Sequence, residues 1–131
     1  MTPEPLSSAG DRDRPAIDAA MVDAMALAVY GGFLALACRS LRIDVAAVRA
    51  LDPRKGATAD AEWFTAAKAR HVAIYLANQA VGIPQRTLSR LLDLTPPAIH
   101  FAIRSVEDLR DDTTLDRLVS AIEVEMTGRA T

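Results

Sequence analysis

The chain has one cysteine, Cys38. An intrachain disulfide is therefore excluded, and a reducing compartment fits. A lone cysteine inside an apolar run reads as a small buried residue. Histidine is scarce as well: His71 and His100 lack the flanking cysteine or carboxylate cluster that metal-ligand spacing needs. A phosphate-binding loop of the form G-x-x-x-x-G-K-[ST] is absent, which excludes that route to nucleotide hydrolysis. No nucleophile–base arrangement stands out either. The expectation is a protein that is not an enzyme and needs no cofactor. Aromatic residues make up only 5% of the chain, and β-branched runs are short. Alanine and leucine dominate instead, which favours an all-α fold.

Long hydrophobic runs are also missing. The longest, "AMALAVYGGFLALAC" at 24–38, falls short of the roughly 20 residues a membrane span needs. The first residues, "MTPEPLSSAGDRDRP", show no basic region followed by an apolar one, so no secretory signal is expected. The reading is a cytoplasmic protein with no membrane partner.

What is present suits one globular domain. The 131 residues are half apolar and 24% charged, an ordinary soluble balance. The net charge of −2 is unevenly spread. Residues 65–104 carry Lys68, Arg70, Arg86, Arg90 and Arg104 against Asp93 alone, a basic island between acidic flanks.

Residues 1–15, with Pro3, Pro5 and Pro15, read as a flexible tail before a domain at 16–131. A helix is expected from about Ile17 to Leu41. Gly31-Gly32 in its middle weakens it, splits it, or admits a close neighbour. Asp44 is a plausible N-cap for a short helix with Val45, Val48 and Leu51 on one face. "DPRKGATAD" reads as a loop. A long helix is expected over 61–81, with Trp63, Ala67, Ile74, Ala77 and Val81 on one stripe and Gly82 ending it. A short helix follows at 84–92. A last helix starts at Asp112 or Thr113, with Leu115, Leu118, Val119, Ile122 and Met126 inward and acids outward. The whole is expected to be a compact bundle of five to six helices.

The stretch "DLTPPAIHFAIRSVEDL" places Pro96-Pro97 at the mouth of a helix. Thr95 is a good N-cap residue. Proline is tolerated in a first turn, where N–H groups have no intrahelical partner. So the pair starts a helix at about 96–110 rather than breaking one. Helix 84–92, a three-residue link and this helix have helix-turn-helix spacing. In that motif the second helix inserts its N-terminal end into the DNA major groove. The outward residues would be Thr95, Pro97, Ala98, His100, Phe101 and Arg104, with Arg86 and Arg90 beside the phosphates.

"AKARHVAIYLANQAVGIPQRTLSRLL" followed by "AIHFAIRSVEDLRDD" resembles the C-terminal helix-turn-helix domain (domain IV) of the bacterial replication initiator DnaA. That family opens a helix with R-Q-x-A-M-x-L-A, and Arg70, His71, Ala73, Ile74, Leu76 and Ala77 stand in that frame. "LRIDVAAVRALDPRK" resembles the family's preceding helix and basic linker. The resemblance covers roughly residues 25–125 and implies double-stranded DNA binding, with Arg70 reaching phosphate and minor groove. The overall layout is also similar to the DnaA-like part of alphaproteobacterial gene transfer agent activators. One departure matters. Where the family reads DNA with G-R-D-H-T-T, this chain has the shorter "DLTPPA", whose Pro96, Pro97 and Ala98 side chains offer no donors for base readout.

Each candidate has a plainer alternative. Arg70, Arg86, Arg90 and Lys68 can be solvated surface charge. Arg104 can pair with Asp108, and Phe101 can pack into the core. The function these observations point to is a transcriptional regulator, an activator of gene transfer agent or phage-like genes, with RNA polymerase or an accessory regulator as a further partner. The alternative is a helical interaction module or replication-control protein without base-specific readout.

Overall fold

A computed structural model describes the backbone of residues 4–50 and 61–128, and the side chains from Asp18 onward except within 51–60, Glu62 and 129–131. The described residues form six α-helices and no strand: α1 Glu4–Leu41, α2 Val45–Ala50, α3 Ala61–Gln79, α4 Gln85–Leu92, α5 Pro96–Leu109 and α6 Thr113–Thr127. The all-α reading holds. The expected loop at 52–60 and the inward Leu51 lie outside the described residues.

α1 begins at Glu4, not Ile17, so the segment expected to be a tail is helical from its fourth residue. Pro5 falls in the first turn, where a missing N–H costs nothing. Gly31-Gly32 does not split the helix either. A methyl group on Gly32 would meet the thioether end of Met126 on α6, and one on Gly31 would stand 3.2 Å from the Arg49 guanidinium. The glycines thus admit close neighbours, the third of the options open to them. Met126, expected inward, is exposed, although its thioether end reaches the Gly32 notch.

The core sits between α1, α3 and α5. From α1 it takes Ala26, Tyr30, Phe33, Leu34, Ala37 and Cys38. Cys38 is the small buried residue it was expected to be. Alanines at 66, 69, 73 and 77 keep α3 narrow enough for α1 to approach it, with Val72, Ile74 and Leu76 filling the space between. The segment Asp18–Leu41 is long and apolar enough to cross a membrane by length and composition, contrary to the run counted at 24–38. Its C-terminal half is nevertheless core of the bundle, while Met21, Val22 and Met25 before it are exposed.

α3 ends at Gln79, two residues earlier than expected, and Val81 is exposed rather than on the stripe. The reason is Gly82, whose φ of +89° turns the chain. The Asn78 side chain holds this turn by donating to the Ile83 carbonyl at 2.8 Å.

Three caps match the sequence. Asp44 accepts from the Ala46 N–H at 3.3 Å. Thr95 Oγ1 accepts from the Ala98 N–H at 3.2 Å. Asp112 accepts from Thr114 at 2.9 Å and Leu115 at 3.1 Å. One acid breaks the expected pattern of α6: Glu123 is buried.

Burial also marks Tyr30, whose hydroxyl is pushed up to about 12 because desolvation penalises the phenolate. A pKa raised in the folded state contributes stability that is complete below the unfolded value near 10 and is lost as pH rises through the folded value. Stability should therefore fall between about pH 10 and 12. Tyr30→Phe should flatten that fall, as urea midpoints across the range would show.

Candidate nucleic-acid interface

α4 and α5 are joined by Asp93, Leu94 and Thr95. Asp93 adopts a left-handed conformation, φ 54°, and its N–H bonds the Ser89 carbonyl to close α4. Aspartate tolerates this region better than most residues. The Leu94 N–H bonds the same carbonyl at 3.1 Å, and the Ser89 hydroxyl donates back to the Leu94 carbonyl. Leu88 and Ile99 are fully buried and anchor the two helices to the core.

The inner face of α5 is Ile99, Ala102, Ile103 and Val106. The outer face presents Pro97, His100, Phe101 and Arg104 to solvent, with Thr95 beside them. Phe101 is 63% exposed, so the core-packing alternative fails for it. Arg104 is exposed and forms no ion pair with Asp108. Ala98, expected outward, is half-buried toward α3 because its position falls beside the inner stripe.

The mouth of α5 has an unusual donor inventory. A helix N-terminus normally offers several free N–H groups to an anion. Here Pro96 and Pro97 have none, Thr95 Oγ1 takes the Ala98 N–H, and the Thr95 carbonyl takes the Ile99 N–H at 3.1 Å. Of the backbone donors at this mouth, only the Thr95 N–H has no acceptor among the described residues. Phosphate contacts in this region therefore rest mainly on side chains.

The basic island is smaller in space than in sequence. Arg70 is only 9% exposed, and its Nη2 donates to the Val48 carbonyl at 3.4 Å. Neither a solvated arginine nor a ready phosphate contact describes it: its guanidinium reaches from α3 to the α2 backbone, and the residue also lines a groove between α3 and α5. Arg90 is held by Asp23 of α1 through two bonds, 2.9 and 3.0 Å. This pairing, the Arg90 hydrogen bond above all, holds the Asp23 carboxyl below its ordinary value. Lys68 is half-buried. Of the five cations, only Arg86 and Arg104 are both exposed and without an ion pair among the described residues.

Sequence reasoning missed two features. The first is a groove of about 550 Å³ between α3 and α5, lined by Trp63, Phe64, Lys68, His71, Ala98 and Phe101 among others. The His71 and Phe101 rings meet edge to face, centroids 5.8 Å apart. Burial, then the nearby Arg70 charge, pushes the His71 imidazole below its ordinary value. The spacing of Phe64 and Phe101 on two separate helices gave no signal in one dimension. The second is Arg110, which bonds Asp116 at 2.6 Å, Ser120 at 2.8 Å and the Tyr75 hydroxyl at 3.3 Å.

Comparison of the chain with family models, with curated proteins and with solved structures returns no match.

Proposed function

We propose that this chain is a double-stranded DNA-binding transcriptional regulator acting in the cytoplasm. The observation that carries the reading is the outer face of α5. A short helix, a three-residue link and a second helix leave Pro97, His100, Phe101 and Arg104 at the exposed N-terminal half of the second. That is the part of such a pair that meets base edges in a major groove. His100 supplies a donor or acceptor, and Phe101 an apolar surface for thymine methyl groups. Arg86 and Arg104 supply phosphate contacts. The resemblance to the DnaA C-terminal domain supports the same assignment. Arg90 and Arg70 are structural in this reading, not phosphate ligands.

The face has few base-reading donors, so DNA shape or a partner carries part of the specificity. RNA polymerase or an accessory regulator is the partner class that an activator of this size requires.

Affinity selection of sheared genomic DNA from the source organism, at two salt concentrations, tests the proposal. Enrichment of a few promoters that weakens with salt is expected. Arg86→Ala and Arg104→Ala should each lower the slope of log K against log salt by about 0.9. Arg90→Ala should leave that slope unchanged. Absence of enrichment at both salts would sink the reading.

One observation favours a second reading, a helical protein-interaction module. Pro96, Pro97 and the Thr95 cap remove three backbone donors from the mouth of α5, while Phe101 and Phe64 are 63% and 51% exposed. Exposed aromatics on neighbouring helices suit a protein partner. A co-purifying protein together with no DNA enrichment would decide for it.

A further inference from the structure

The α3–α5 groove has the dimensions and chemistry of a small-molecule site. Its volume of about 550 Å³ falls within the range of roughly 300–1,000 Å³ typical of ligand pockets. Aromatic rings wall it on both sides: Trp63, Phe64 and His71 from α3, and Phe101 from α5. Ala67, Ala98 and Ala102 leave room between the rings for a flat body. None of the described lining residues is a carboxylate. Lys68, half-buried on the wall, forms no ion pair among the described residues. Arg70 also lines the groove, but it is buried and donates to the Val48 carbonyl, which leaves Lys68 as the more accessible cation. Apolar rings with such a cation, and no carboxylate among the described lining residues, complement a planar apolar molecule bearing one negative charge.

We infer that this groove binds an aromatic carboxylate, its ring system stacked among Trp63, Phe64 and Phe101 and its carboxylate on the Lys68 ammonium. The site does not depend on the DNA-binding reading. Its lining is fixed mainly by packing of α3 on α5, with His71 edge-on to Phe101 as part of the wall.

Trp63 is the only tryptophan in the chain and stands in the groove, so its fluorescence reports occupancy. The probe is 2-naphthoate, which accepts energy from tryptophan, with 2-naphthamide as its neutral counterpart and calorimetry as an independent readout. Saturable quenching below about 1 mM is expected, with 2-naphthoate preferred by about tenfold. Lys68→Gln should abolish that preference while leaving 2-naphthamide binding unchanged. Phe101→Ala removes an exposed ring and should leave the helical circular dichroism intact while weakening both probes. Equal binding of acid and amide, or an unaltered preference in Lys68→Gln, would overturn the inference. So would the absence of saturation by either probe with the wild-type chain. None of these measurements involves DNA, so a failure here is separate from a failure of the regulator assignment.

Discussion

Phe33→Ala should destabilise the protein by about 3–5 kcal/mol, the largest loss expected from any single truncation here. Phe33 is fully buried in the C-terminal third of α1, within the core that α1 shares with α3 and α5. The cost has two parts. Transfer of the ring out of water is lost, and a cavity remains because the neighbours relax only partly. Collapse is hindered in this core. The facing positions on α3 include alanines, which have no side-chain freedom to swing into a void. Natural domains are stable by only about 5–15 kcal/mol, so the variant should lie near the threshold of folding. A fall in melting temperature of the order of 10–20 °C is expected, measurable by circular dichroism at 222 nm. A drop of only a degree or two would mean that α1 is not packed as described. Phe33→Leu, which conserves most of the volume, should recover more than half of the loss.

The second large effect concerns Arg110. This side chain is 20% exposed and donates to three groups on two other elements. Tyr75 belongs to α3, Asp116 and Ser120 belong to α6, and Arg110 itself caps α5. Its guanidinium also lies 5.7 Å from the centre of the Tyr75 ring. Arg110→Ala should cost about 2–3 kcal/mol, since hydrogen bonds to a charged group are each worth more than neutral ones. Arg110→Lys should recover little. An ammonium is a point charge and cannot reach a carboxylate, a hydroxyl and a phenol with one planar fork. Urea denaturation of both variants checks this. If lysine restores wild-type stability, the fork geometry is irrelevant and only the charge beside Asp116 matters. The exposed pair of Arg90 with Asp23 makes a contrast, because solvent screens such a bridge and little stability depends on it.

The Pro-Pro pair has a consequence for function beyond starting a helix. It removes two backbone donors from the part of α5 that would otherwise attract an anion most strongly. Thr95 occupies the third donor. On the proposed DNA-binding reading, positioning on phosphates falls to Arg86 and Arg104 more than to the helix terminus. On the same reading, sequence preference falls on His100, Phe101 and DNA shape.

Much of the fold could be read from the chain alone because it rests on local rules. Thr95, Asp112 and Asp44 cap helices through their own side chains, and Gly82 ends α3 through a backbone angle that glycine reaches freely. The absence of strand-forming runs and the 3.6-residue spacing of apolar positions established an all-helical bundle. The buried character of Cys38 followed from its apolar neighbours. Those are interactions between residues a few positions apart.

What tertiary structure decided was the fate of charge and of exposed surface. In sequence, Arg70 and Arg90 belonged to a basic island; in space one is buried between α3 and α2, and the other is bound to Asp23, 67 positions away. Val81 and Ala98 exchanged the sides expected of them, because a turn and a helix face moved by a residue or two. The aromatic groove needs α3 and α5 side by side, and Arg110 needs α3, α5 and α6 together. Local propensity carries no information about which distant surfaces meet. That is set by how the apolar stripes of separate helices pack, and only the packed structure shows it.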